Sequence, residues 1–259
     1  MPFLDLRNLR THYELAGSTS APILVLSNSL GTNLSMWAPQ IAAFARDHRV
    51  LTYDTRGHGQ SSVSRGPYTV KQLAEDLITL LDALQLPNFS YCGLSLGGMI
   101  GMHLAVHLPE RLKKLVLCNT APKIGTEEAW NSRISAVEKG GMAAITDAVL
   151  QRWYTAQFRE TSPAAVLQTK EMLLNTSPEG YIGCCAAVRD MDQREAIQQI
   201  QTPALIVAGT QDPVTTLADA KVMVESIRGA QLLELNAAHL SNVEAAEQFT
   251  AGVSRFLRE

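Results

Sequence analysis

Cysteine is scarce in this chain: four among 259 residues, Cys92, Cys118, Cys184 and Cys185. That count excludes a disulfide-stapled scaffold, and the spacing excludes a cysteine-based metal site. The four read as reduced, mostly buried thiols, with the adjacent Cys184 and Cys185 packing rather than exchanging electrons. A surplus of one charge is also missing. Lys and Arg total 22 against 25 Asp and Glu, a net charge of -3 that leaves no footprint for a nucleic-acid partner. No apolar run is long enough to cross a bilayer, and the residues after Met1 lack the basic, apolar and small-residue blocks of a leader, so a cytoplasmic protein with no membrane partner is expected. His103 and His107 have the spacing of a zinc pair, but Leu104-Ala105-Val106 between them supplies no glutamate, and no metal is expected.

What the chain does have is length and alternation. With 259 residues and 46% apolar content it can bury a large core as one α/β domain carrying an insertion. Phe3 to Leu6 and Thr11 to Leu15 flank a polar turn at Arg7-Asn8, which suggests a hairpin. Ile23 to Leu26 is a continuous apolar run, expected of a strand covered on both faces. A helix over Trp37 to Ala45, a strand over Arg49 to Tyr53 and a helix opened by a Thr69/Gln72 capping box follow. Strands at Phe89 to Cys92 and Leu115 to Cys118 continue the alternation, which predicts a doubly wound, mostly parallel sheet. From Lys123 to about Met191 the pattern is helical only, with Trp130, Trp153, Tyr154 and Phe158 among its aromatics. Residues 123–191 therefore read as a helical cap inserted into a core made of 1–122 and 192–259. Alternation resumes with strands at Ala204 to Ala208 and Gln231 to Leu235. A capping box of Ser241 with Glu244 is expected to start the last helix.

The chemistry centres on Gly93-Leu94-Ser95-Leu96-Gly97, between a strand and a helix. A turn this tight leaves no room for side chains at its glycines and exposes Ser95 at a helix N-terminus, where backbone donors favour a developing negative charge. A serine hydroxyl needs a base, and the base needs a carboxylate to hold its tautomer. Asp212 and His239 each follow a strand, on the same carboxyl edge of the sheet as Ser95. His58, between two glycines, is expected to be poorly held and is set aside as the base. The loop Asn28 to Asn33 lies beside the nucleophile turn, so its N–H groups can point at the same oxygen as that of Leu96; an ordinary connecting loop is the alternative.

The stretches Ser27 to Thr32, Tyr53 to Gly59, Gly93 to Met99, Asn119 to Thr126, Cys184 to Asp192 and Ala237 to Asn242 resemble the α/β-hydrolases, and within them the 3-oxoadipate enol-lactonases of bacterial aromatic degradation. The resemblance implies an α/β-hydrolase fold and hydrolysis of a small lactone that carries a carboxylate, with Ser95, Asp212 and His239 as the triad. It places the oxyanion donors at the Leu30 and Leu96 backbones and implies no cofactor. Many α/β-hydrolases carry His-Gly where this chain has Asn28-Ser29, and the departure agrees with the narrower family. A carboxylate on the substrate calls for a cation, best an arginine. Arg133, three residues after Trp130, would share a helix face with that indole and look down from the cap, with Trp130 covering the ring. Arg189 is the competitor, and a solvated Arg133 beside a core Trp130 is the plainer alternative. Rival functions are a broad carboxylesterase or perhydrolase on the same triad, and a small-molecule binding protein with a vestigial one.

Overall fold

Runs of β-branched and leucine residues without polar alternation can be satisfied only where both sheet faces are covered, and such runs form the middle of the sheet. The computed structural model of the protein describes residues 2–6 and 9–259. Among these, eight strands make one sheet: β1 (Phe3–Leu6), β2 (Leu9–Ala16), β3 (Ile23–Ser27), β4 (Arg49–Tyr53), β5 (Phe89–Leu94), β6 (Leu112–Cys118), β7 (Ala204–Gly209) and β8 (Gln231–Leu235). Their spatial order is β1-β2-β4-β3-β5-β6-β7-β8. β2 runs antiparallel to β1 and β4, and the remaining neighbours are parallel. The central β3, β5 and β7 are buried along their whole length. The turn expected at Arg7-Asn8 lies outside the described residues.

The helices are α1 (Ala38–Phe44), α2 (Val70–Ala83), α3 (Leu96–His107), α4 (Glu127–Gly140), α5 (Ala143–Trp153), α6 (Ala156–Thr161), α7 (Pro163–Asn175), α8 (Pro178–Asp190), α9 (Leu217–Ser226), α10 (Ser241–Glu244) and α11 (Ala246–Arg258). A short 3₁₀ turn, Leu34–Trp37, leads into α1, so the first helical stretch begins earlier than its apolar pattern suggests. α3 is apolar on every side and packs against β5, β6 and α2. α11 shows one apolar stripe, Phe249, Val253, Phe256 and Leu257, and lays it on the sheet and α1.

Two of the expected capping boxes form differently. Thr69 accepts a hydrogen bond from the Gln72 amide at 3.1 Å, but the full reciprocal box occurs at Thr216 and Asp219 instead. The Ser241/Glu244 box does not form at all. Ser241 Oγ donates to Asn119 Oδ1 at 2.5 Å, and Glu244 accepts from the Ala238 amide at 2.9 Å and from the Thr155 hydroxyl. Both side chains have stronger tertiary partners than the local amides. The helix breaks at Ala245 and restarts as α11.

Between β6 and β7 the described residues contain five α-helices, α4 to α8, a short 3₁₀ turn, Ala196–Gln199, and no strand. Backbone contacts tie these helices over the carboxyl edge of the sheet: the Tyr68 amide donates to Gly183 O at 3.1 Å and the Leu240 amide to Trp153 O at 3.1 Å. Closest of all are Gly57 and Gly180, where a Cβ on Gly180 would lie 2.2 Å from the Gly57 carbonyl oxygen. The chain crossings there tolerate no side chain.

Candidate active site

β5 ends at Leu94 and α3 begins at Leu96, which leaves a single residue to reverse the chain. That residue, Ser95, has φ 56° and ψ -111°, a conformation non-glycine residues seldom adopt. The surroundings hold it there. The Ser95 amide donates to Cys118 O at 2.9 Å, its carbonyl accepts from Thr120 Oγ1 at 2.8 Å, and the Gly97 amide donates to Asn28 O at 3.0 Å. A Cβ on Gly93 would meet the Gly97 carbonyl at 2.3 Å, and one on Gly97 would meet Ser27 O at 2.2 Å. The two glycines are therefore required by backbone contact.

Asp212 lies after β7 and His239 after β8, and the fold brings them together: His239 Nδ1 is 2.8 Å from Asp212 Oδ2, with both side chains buried. The carboxylate is heavily solvated by the protein. Its Oδ1 accepts from the Val214 and Thr215 amides at 2.7 and 3.2 Å, and its Oδ2 also accepts from Thr215 Oγ1 at 2.7 Å and Asn119 Nδ2 at 3.1 Å. Burial pushes the Asp212 pKa up, but the charge and hydrogen bond of His239, with the bonds from Asn119 and Thr215, outweigh it, and the carboxyl stays below its ordinary range. An ionised acceptor fixes the histidine proton on Nδ1 and leaves the lone pair on Nε2.

In sequence Asn119 stands out only as the start of a stretch that resembles the family. It takes up φ 42° directly after β6, donates to Asp212 and to Ala238 O at 3.1 Å each, and accepts from Ser241. It thus joins the acid loop to the histidine loop. No spacing signal reveals this, because Asn119 is 93 residues from Asp212.

Ser95 and His239 line one small cavity of about 30 Å³ with Ser29, Leu30, Leu96, Met99, Ile124, Trp130, Arg133, Trp153, Tyr181, Val188 and Val214. A larger cavity, about 440 Å³, lies elsewhere beside His12, Glu14 and Met172 and shares no residue with it. The smaller one holds the reactive groups. Among the described residues, the Leu30 and Leu96 amides form no hydrogen bond, and both residues face this cavity. Two unpaired amides of residues lining the same cavity as Ser95 can bind a developing oxyanion.

His58 departs from expectation. It is buried, its Nε2 accepts from the Gly31 amide at 2.9 Å and its Nδ1 lies 3.2 Å from Arg56 O. Desolvation lowers its pKa, against the Arg56 carbonyl and the Asp54 charge, so the neutral Nδ1–H form is favoured. The flanking glycines, read as looseness, instead permit close contact: a Cβ on Gly57 would lie 2.4 Å from Gly180 Cα, and one on Gly59 would lie 2.2 Å from the Asp54 carboxyl. His58 does not line the cavity with Ser95.

Arg133 does line it, half-buried, with its guanidinium 4.7 Å from the Trp130 ring centroid. Trp130 is buried in the same wall, its Nε1 donating to Ile124 O at 2.8 Å. Among the described residues Arg133 has no carboxylate partner. Arg189 is elsewhere. It faces a separate groove with Arg65 and Glu138 and is occupied by Asp190, at 2.7 and 2.9 Å, and by Asn131 at 2.8 Å. α8 turns Arg189 away from the cavity that holds Ser95. Trp153, Tyr181, Val188 and Val214 were not singled out in sequence as cavity residues, since nothing in their local pattern separates a cavity wall from core.

The His103 and His107 rings lie tilted at 47° with centroids 4.2 Å apart, and among the described residues no group of three or more potential metal ligands occurs. The cysteines are free and buried, and burial pushes the Cys185 thiol up to about 12 and the Cys184 thiol well above its ordinary value. No described helix is long and apolar enough to cross a membrane.

A family model described as alpha/beta hydrolase fold matches residues 22–141. The chain is 44% identical to 3-oxoadipate enol-lactonase 2 of Acinetobacter baylyi, over 98% of this chain and 96% of that one, and 39% identical to 3-oxoadipate enol-lactonase 1 of the same organism, over 95% and 92%. Among solved structures, an enol-lactonase from Burkholderia xenovorans LB400 superposes with a TM-score of 0.98 at 43% identity, covering 100% of both chains.

Proposed function

Because this chain belongs to the 3-oxoadipate enol-lactonase family of the α/β-hydrolases, we propose that it opens the ring of 3-oxoadipate enol-lactone to give 3-oxoadipate. The observation that carries the reading is one cavity lined by Ser95 on its strained turn, by His239 with Asp212 behind it, and by a cation, Arg133, without a carboxylate partner among the described residues.

In this reading His239 Nε2 takes the proton from Ser95 Oγ as the oxygen attacks the lactone carbonyl. The Leu30 and Leu96 amides receive the oxyanion, and Asp212 stabilises the imidazolium. The tetrahedral adduct then expels the ring oxygen as an enolate, which takes up a proton and becomes the ketone. A water deprotonated by His239 attacks the acyl-serine, and collapse of the second adduct returns the free hydroxyl. None of these steps calls on a metal or an organic cofactor. Arg133 holds the substrate carboxylate, and Trp130 covers the ring.

The 123–191 segment acts as a cap over a core of residues 1–122 and 192–259. A cytoplasmic location goes with the four free thiols. Steady-state rates on the enol-lactone beside a simple aryl acetate test the function. Ser95→Ala should reduce turnover by several orders of magnitude, leaving only the roughly 10³- to 10⁴-fold over water that binding and oxyanion stabilisation supply. Activity within tenfold of the parent refutes the assignment, and stoichiometric labelling without release points to a binding protein.

A further inference from the structure

The mechanism above gives the leaving oxygen of the lactone one protein partner, the proton carried by His239. The carbonyl oxygen has two amides and the carboxylate has Arg133, yet the ring oxygen, which becomes the enolate, has no fixed donor beside the His239 imidazolium. The mechanism also leaves a buried hydroxyl of the cavity wall unused. Ser29 is 2% exposed, lines the cavity with Ser95, and its Oγ is a buried hydroxyl with no hydrogen-bond partner among the described residues. Its backbone is fully occupied within the loop. The Ser29 amide donates to Met36 Sδ at 3.4 Å, and its carbonyl accepts from the Thr32 amide at 3.2 Å and Thr32 Oγ1 at 2.8 Å. The neighbouring polar side chains are occupied too: Asn28 bonds Trp37 and Tyr53, and Thr32 bonds Ser29. Ser29 Oγ is the group this loop leaves free.

A buried hydroxyl without a partner costs stability, and the cost is recovered when a ligand atom completes the bond. We propose that Ser29 Oγ–H donates to the leaving oxygen of the substrate, supporting the charge that develops there as the acyl–oxygen bond breaks. The bonding pair moves to the ring oxygen, and the proton that His239 took from Ser95 is returned to the enolate. The Ser29 proton stays on Oγ throughout. The donor acts only once charge appears, so it lowers the barrier to ring opening more than it tightens binding. This role rests on the hydrolase reading above, and it extends to any ester whose leaving oxygen is basic.

The test is kcat/KM for the parent, Ser29→Ala and Ser29→Cys on a series of aryl acetates of rising leaving-group basicity, 4-nitrophenyl to phenyl, and on the enol-lactone. A hydrogen bond to a charged group predicts a Ser29→Ala deficit on the order of ten- to a hundredfold for phenyl acetate and enol-lactone, shrinking to about threefold or less for 4-nitrophenyl acetate. Ser29→Cys, a weaker donor, should fall between. The unfolding midpoint of Ser29→Ala should equal or exceed that of the parent, since an unpaired hydroxyl has been removed. A deficit that is uniform across the series, a deficit that is absent, or a lowered midpoint overturns the proposal. If the parent fails on the enol-lactone while the deficit still grows along the acetates, the lactonase assignment falls and the role of Ser29 stands.

Discussion

Arg133→Leu separates recognition from chemistry. Arg133 is half-buried in the cavity wall, its guanidinium 4.7 Å from the Trp130 ring centroid, with no carboxylate partner among the described residues. Its charge is felt nearby: it opposes the burial that raises the Tyr181 phenol, and after desolvation it is the next cause of the lowered Arg152 pKa. A charge-assisted bond to a substrate carboxylate is worth about 1.5–3 kcal/mol, or roughly 10- to 150-fold in affinity. The carboxylate lies away from the scissile bond, so the interaction is similar in ground and transition states, and its loss should raise KM while kcat changes little. Leucine keeps apolar volume against Trp130 and limits collapse of the wall. Initial rates over a concentration range of enol-lactone and of phenyl acetate read both parameters. KM for the lactone should rise at least about tenfold, with the neutral ester nearly untouched. Equal losses on both substrates would mean a damaged fold or triad. No loss on either would refute the carboxylate role and move the search to Arg152.

Asn119→Ala removes donors to Asp212 and Ala238 and the acceptor of Ser241 inside a buried network; an unfolding free energy lower by about 2–4 kcal/mol in urea is expected, together with a lower kcat, and an unchanged midpoint would refute its joining role. Gly97→Ala sets a Cβ 2.2 Å from Ser27 O, so the purified variant should be inactive and cooperatively destabilised, and a parent-like melting curve would contradict the elbow geometry. Stability should fall on acidification because His58, and also His48 and His103, have pKa values below the ordinary 6.5, with His103 at about 4. Below pH 6.5 the unfolded chain binds protons that the native one refuses, so the loss starts there and grows toward pH 4, with the Asp212 contribution going only below its ordinary 3.8; a flat melting temperature from pH 7 to 4.5 would oppose this. Dialysis against a chelator should leave activity unchanged, and loss with recovery on adding metal would show a metal requirement.

Local pattern determined the parts of this protein whose cause is local. Unbroken apolar runs such as Ile23 to Leu26 and Ala204 to Ala208 can be stable only between two covered faces, so the parallel sheet and its order of strand and helix are legible. The Gly93-x-Ser95-x-Gly97 turn is legible for the same reason: one residue must reverse the chain, and only glycine fits beside it. Chain order alone proposed Asp212 and His239, because residues after parallel strands meet at one edge. Contacts between distant segments decided the rest. Asn119 meets Asp212 across 93 residues, His58 is pinned by an amide from another loop, and Arg189, identical in type to Arg133, is turned outward by the packing of α8. The Ser241/Glu244 box fails because burial offers each side chain a partner better than its own helix. A side chain's hydrogen-bonding choice depends on every group that reaches it, and for buried polar residues most of those groups arrive from elsewhere in the chain.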